Sequence, residues 1–503
     1  MSSPPAAPIT EPEVPPARSH PRPLGWRAWL VDTDPSGPSS VHLLHAALAL
    51  VSLGAWLSLW SEVLLLLGWK GLTPVQMTLL QARGSNIHLS WFDFPSHLFF
   101  SDSDASIVGG CVVGVALSLL ALLGVWPRVM FALNGLLYLG YCVAAETFLG
   151  FQWDNLLVES CFIAALLPRD RVARAAHWMG RALLFKVFFQ SGVAKWGSPT
   201  GDWFDGSAMA HYYETAPLPT ALAWYAHHLP DGWHRLESWW TLLFELVFAW
   251  GVFLGRIPRM AALAAFTVFF VVDFATANYG FFVPLTAVWC LLLLPGSTTQ
   301  AVVGRLRSVL RRAPLKAVAP SRRRSVARLG LAGIWTATSL YMASVPLLGI
   351  NVDHHRWRSV RKWRFANAYH LFSSITTRRH EAEFQTSTDG ETWTAHAMVY
   401  KAGPVDRAPP FVAPHQPRVD FRLWFFGLSW QRSTPPYVAN LLRRMCWDPD
   451  VVQPLFSTPL PSDTKYVRIA YWDHAFAPPG SSDWWTRSPV DFSRTISCDQ
   501  LGW

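Results

Sequence analysis

Apolar residues dominate nine stretches of this chain, approximately 41–67, 107–126, 129–149, 153–168, 181–196, 239–255, 259–279, 281–295 and 327–349. A helix needs about 20 mostly apolar residues to cross a bilayer, so each stretch is expected to be a transmembrane helix. The fourth, fifth and eighth are short, and a re-entrant or interfacial geometry stays open for them. After residue 349 the pattern changes. Glu381–Ser387 and Glu391–Tyr400 flank Thr388-Asp389-Gly390, and Asp-Gly between two strand-like runs predicts a hairpin. Tyr466–Trp472 reads as another strand and Tyr437–Met445 as a short basic helix, with prolines from Pro404 to Pro417 marking an irregular connection. The expected fold is a polytopic α-helical membrane protein of about nine transmembrane helices with a C-terminal β-rich extracytoplasmic domain. Its parts are a disordered Pro-rich cytoplasmic tail at 1–40, the helical domain at 41–349 and the β-rich domain at 350–503.

Charge orients this arrangement. Only 15% of the 503 residues are charged, against about 25% in soluble chains, and the mean hydropathy of +0.20 averages two unlike regions. Nine basic residues with no acid among them lie between Arg305 and Arg328. Flanked by apolar stretches, this run reads as a cytoplasmic loop obeying the positive-inside rule, not as a nucleic-acid site. With the N-terminus inside, Arg128, Arg169, Arg171, Arg174, Arg181, Arg256 and Arg259 fall on the same side. The C-terminus then lies outside. Residues 1–23 hold no apolar h-region and are not expected to be a signal peptide. The 28 tryptophans suit a protein with many membrane–water boundaries.

Ionisable residues inside spans are costly and are functional candidates by default. Here they are Glu62, Glu146, Glu159, Lys186, Glu245 and Asp273, with Gln152, Asp154, Lys195 and Asn278 near the outer boundary. The turn 148–154 could gather Glu146, Asp154 and Glu159. Lys186 and Lys195, nine residues apart, point to roughly opposite faces of one helix. These groups fit either a polar, outward-opening cavity with a poised lysine or internal salt bridges that hold the bundle. His211, His227, His228 and His234 lack the convergent spacing of a metal site, and no metal is expected. No P-loop, G-x-S-x-G or G-x-G-x-x-G in a βαβ setting occurs, so no cofactor is expected and ATP-driven transport lacks its usual mark. Cys446 and Cys498 lie in the outer region, where a disulfide is permitted; whether they pair is left open.

Three ordered stretches resemble the lipase maturation factor family. The first runs from Phe148 through Gln152-Trp153-Asp154 to Glu159. The second joins Arg181–Lys186 and Ser191–Lys195 to His211-Tyr212-Tyr213-Glu214-Thr215-Ala216-Pro217-Leu218-Pro219, then His228, Pro230, Trp233, His234 and Glu237. The third holds Phe365–Phe372, with Asn367 and His370, then Pro409–Asp420, with His415 and Asp420, then Trp424-Phe425. The resemblance implies a membrane-bound factor that helps exported clients, lipases in the family, fold and assemble. Its partners would be membrane lipid and the client. The residues just quoted would bind the client or hold the structure, and Trp484-Trp485 would add to an exposed aromatic surface, unless those rings cover the domain core or rest on the membrane interface.

The family is also similar, distantly, to the membrane region of vitamin K-dependent γ-glutamyl carboxylase. That kinship implies an alternative, a membrane-embedded enzyme using Lys186 or Lys195 with Glu146, Asp154 or Glu159. The chain departs from animal members in carrying Ala402 where the family resemblance leads one to expect Cys, and in having no N-x-[ST] sequon. With its Ala/Arg/Pro-rich composition, these features imply a bacterial inner membrane protein with the C-terminal domain outside. A eukaryotic member would sit in the endoplasmic reticulum.

Overall fold

The computed structural model describes residues 34–84, 90–309, 322–350 and 353–502. The expected tail up to residue 33 and the middle of the basic run, with Arg311, Arg312 and Lys316, lie outside the described residues. The chain is already helical from Pro38, so the last three residues of the expected tail belong to the first helix.

All nine apolar stretches fall on helices. They are α1 (Pro38–Leu67), α2 (Asp104–Leu123), α3 (Pro127–Ala144), α4 (Gln152–Leu166), α5 (Arg174–Trp196), then after α6 (Ala208–Thr215) come α7 (Asp231–Leu246), α8 (Arg256–Thr276) and α9 (Phe282–Trp289). Next are α10 (Gly296–Val309) and the last of the nine, α11 (Arg322–Leu348). Among the described residues five helical segments are long and apolar enough to cross a membrane: Pro38–Leu67, Asp104–Leu123, Asp231–Phe253, Arg256–Thr276 and Ser325–Leu348. The pair Phe282–Leu292 and Gly296–Val309, bent by 109°, is either a broken sixth span or a re-entrant loop. This is an integral membrane protein. α4 has 15 residues and reaches about 22 Å, short of the ~30 Å hydrocarbon core. Its residues are mostly buried, against α3, α5 and α9, so protein rather than lipid surrounds it.

Close packing explains a glycine in the bundle. A Cβ on Gly114 of α2 would lie 2.2 Å from the Trp56 indole of α1. Trp56 Nε1 in turn donates to Asn134 of α3 at 2.9 Å. The stretch 197–238, between two apolar runs, is largely helical. It holds short helices at Asp202–Asp205 and Ala221–His227 around α6, and α7 begins at Asp231 rather than at 239.

The C-terminal region carries an antiparallel sheet of β1 (Arg379–Ser387), β2 (Thr394–His396), β3 (Tyr466–Phe476), β4 (Trp485–Phe492) and β5 (Ile496–Ser497), in order β2-β1-β3-β4 with β5 also on β3. β1 and β2 pair Phe384 with His396. Gly390 supplies the left-handed residue of their turn (φ +83°), and Asp389 Oδ1 accepts the amides of Glu391 and Thr392 at 2.8 Å. β2 is shorter than expected and β3 longer. Helices α12 (Arg418–Leu428) and α13 (Pro436–Trp447), the second over the expected 437–445, stand beside the sheet. A Cβ on Gly427 would meet the His380 carbonyl of β1 at 2.1 Å, so α12 lies directly on the sheet.

Candidate functional site

The expected cluster of Glu146, Asp154 and Glu159 does not form. α4 turns Asp154 and Glu159 toward different partners, and Glu146 lies on the short helix before it. Glu146 is exposed, 3.4 Å from Arg361. Asp154, in the first turn of α4, faces Arg418 of α12. Arg418 Nη2 donates to Asp154 Oδ1 at 3.0 Å and Nη1 to Oδ2 at 3.2 Å, while Tyr138 donates to Oδ1 at 2.8 Å. Both charged side chains are fully buried. A two-point guanidinium–carboxylate contact fixes orientation as well as charge.

The same seam continues on both sides. His370 donates its amide to Gln152 Oε1 at 2.9 Å, and Trp153 stacks on Phe151 and meets Phe421 edge-on. His415 Nδ1 lies 2.9 Å from Ser58 Oγ of α1, which also accepts the Gln416 amide. Glu62 accepts the Arg418 amide at 3.1 Å. Asp420 is buried beside it, and burial, reinforced by the Glu62 carboxylate, pushes its carboxyl up to about 7. Across the molecule Arg379 of β1 donates to the carbonyls of Ala216 (2.7 and 2.8 Å) and Pro217 (3.0 Å). Trp424 donates to the Thr215 carbonyl at 2.9 Å, and the Phe476 amide to Glu214 at 2.6 Å. Burial raises the Glu214 carboxyl against the lowering effect of that amide. Asn278 donates to Pro410 and accepts from Val412 and Ala413.

Both lysines are ion-paired. Lys186 binds Glu159 and lies 3.1 Å from Ser339 Oγ of α11. Glu159 also accepts from Trp335 at 2.7 Å, Asn367 at 3.0 Å and Tyr369 at 2.7 Å. Lys195 Nζ donates to both oxygens of Glu245 at 2.7 and 2.9 Å and to the Leu371 carbonyl at 3.0 Å. The opposite-face geometry therefore sends each lysine to its own carboxylate. What this arrangement does chemically is hold charge in place.

Two models of one family match in order along the chain: the lipase maturation factor transmembrane domain at residues 40–301 and the lipase maturation factor C-terminal domain at 365–493. The first alone covers more than half of the sequence. The chain belongs to the lipase maturation factor family. Human lipase maturation factor 2 is 27% identical over 89% of this chain and 81% of its own length, and its chicken counterpart 26% over 90% and 81%. Bovine lipase maturation factor 1 is 26% identical over 95% of this chain and 91% of its own length. No solved structure matches the chain. The relatives named here do not speak for the carboxylase alternative.

In this maturation factor the remaining candidate residues divide. Tyr213 donates to Glu237 at 2.9 Å, and Glu237 faces His234 Nδ1 at 3.1 Å. His228 Nδ1 lies 2.7 Å from the Trp224 carbonyl, and His211 offers its backbone carbonyl to Thr215. Among the described residues no three His, Cys, Asp or Glu side chains group to hold a metal. Trp485 is not part of an exposed surface. It is buried against Phe476 at 4.6 Å, because its strand position turns it into the sheet, while half-buried Trp484 meets Trp224. A disulfide joins Cys446 of α13 to Cys498.

Sequence reasoning did not single out Tyr138, Arg364, Arg379 or Trp335 and Ser339 as site residues. The last two had a signal: they stand four apart, on one face of α11. Arg364, whose guanidinium reaches the carbonyls of Cys142 and Leu149, had none.

Proposed function

We propose that the protein is a membrane-bound maturation factor for exported proteins, with lipases as clients. The observation that carries this reading is the ordered match of both maturation-factor domains. The seam supports it: residues of the family stretches from the two regions are bonded to each other, so the C-terminal sheet is presented as a fixed body on the bundle. We take the finer topology to be nine spans, counting the short helices enclosed by protein, with the N-terminus inside and residues 350–503 outside the cytoplasm. The membrane would be the inner membrane of a bacterium, or the endoplasmic reticulum in a eukaryote.

Co-expression with an exported lipase tests the function. Lipase activity per mole of secreted lipase should rise with the intact chain and fall when Arg418 is replaced by Ala. If the specific activity is the same with and without the chain for every lipase tried, the reading fails. Reporter fusions after residues 100, 230 and 400 should all report the non-cytoplasmic side.

A further inference from the structure

A cavity of about 310 Å³ lies between α7 and α8, at the low end of the roughly 300–1,000 Å³ of small-molecule sites. Trp233, Trp240, Val268 and Val272 line it and are exposed. All four belong to segments long and apolar enough to cross a membrane. The mouth therefore opens sideways, toward acyl chains rather than water.

The inner end is polar and short of free cations. Lys195 is bound by both Glu245 oxygens and the Leu371 carbonyl. Both Glu237 oxygens are engaged, by Tyr213 and His234. Asp273 is more than nine-tenths buried and lines the cavity; Tyr212 donates to its Oδ1 at 2.8 Å, and among the described residues no hydrogen bond reaches its Oδ2. A carboxylate or phosphate placed here would face Asp273 with no unpaired positive charge. An uncharged group carrying an O–H would instead supply the missing donor.

We propose that this cavity binds a single-chain membrane lipid with an uncharged, hydroxyl-bearing headgroup, the chemical class of a long-chain monoacylglycerol, its chain among Phe244, Phe269 and Val272 and its hydroxyl on Asp273. The site is independent of the client reading and can fail without it.

Photolabelling of the purified full chain tests the site, using monopalmitoylglycerol with a diazirine in its acyl chain and the matching diazirine palmitate, ionised. The glycerol ester should label peptides of α7 and α8 about tenfold more than palmitate, the worth of one hydrogen bond to a carboxylate. Val272→Trp, which fills the mouth from a lipid-exposed position, should abolish that labelling in a monodisperse preparation. If the variant does not purify, competition decides: saturable loss of label with unlabelled monopalmitoylglycerol supports the site. Equal labelling by palmitate, unchanged labelling of the variant, or label that unlabelled lipid does not displace would overturn it.

Discussion

The helical bundle and the C-terminal region both bury charge, and they close it differently. In the C-terminal region the buried Glu381 meets Lys401 at 2.6 Å and Arg379 at 3.4 Å, all within about twenty residues of sequence. In the bundle, Asp154 waits for Arg418, 264 residues later, and Glu159 for Asn367 and Tyr369, 208 and 210 later. Glu381 thus finds both its cations inside its own region. The bundle pairs its lysines internally, with Glu159 and Glu245, but takes the cation for Asp154 and two donors to Glu159 from the segments that follow it. A charge enclosed without its partner costs several kcal/mol, so the bundle is completed only when residues 364–372 and α12 have docked.

Changes on the bundle side should therefore cost most. Glu159→Ala strands Lys186 and removes the acceptor of four donors; a loss of about 3–5 kcal/mol is expected, seen as a fall in thermal midpoint in detergent or no folded protein at all. Cys446→Ser acts inside the C-terminal region alone. It should cost about 2–4 kcal/mol by the same melting assay. Gly280 sits at the seam with φ +53°, and a Cβ there would lie 2.3 Å from Gln416 Oε1. Gly280→Val should lose about 1–3 kcal/mol through backbone strain and speed proteolysis between residues 350 and 378.

A further expected effect is a pH dependence. Asp420 holds its proton in the folded protein up to about 7, against an ordinary value of 3.8. Glu62 opposes its ionisation, and Lys401, Arg407 and the Tyr400 amide favour it. The folded state thus binds the proton more tightly than the unfolded chain, and stability should fall as pH rises from about 4 to about 7 and level off above. Asp420→Asn should flatten that slope and gain on wild type above pH 7. Parallel melting curves for the two proteins from pH 5 to 9 would contradict it.

How much of this was legible depended on range. The nine helices could be read because each is a local apolar run, and the turn at Asp389-Gly390 because its chemistry is local. The hierarchy of α4 was hidden, since a 15-residue helix enclosed by protein and a re-entrant segment share one sequence pattern. The charges at 154, 159, 186 and 195 were visible as candidates. Their partners were not: nothing near Asp154 indicates that an arginine 264 residues away answers it. Trp484 and Trp485 show the same limit at a finer scale: they are neighbours in sequence, yet Trp485 opens β4 and is buried while Trp484, just before the strand, is half-buried.

A double-mutant cycle on Asp154 and Arg418 tests the central claim, that the two regions are locked through family residues, most directly. Thermal stability would be measured for Asp154→Leu, Arg418→Met and the pair together. Each single variant should lose about 3–5 kcal/mol by leaving one charge buried alone, and the double variant should recover much of that loss. If the two single losses simply add, the residues do not act on each other and the seam as described is wrong.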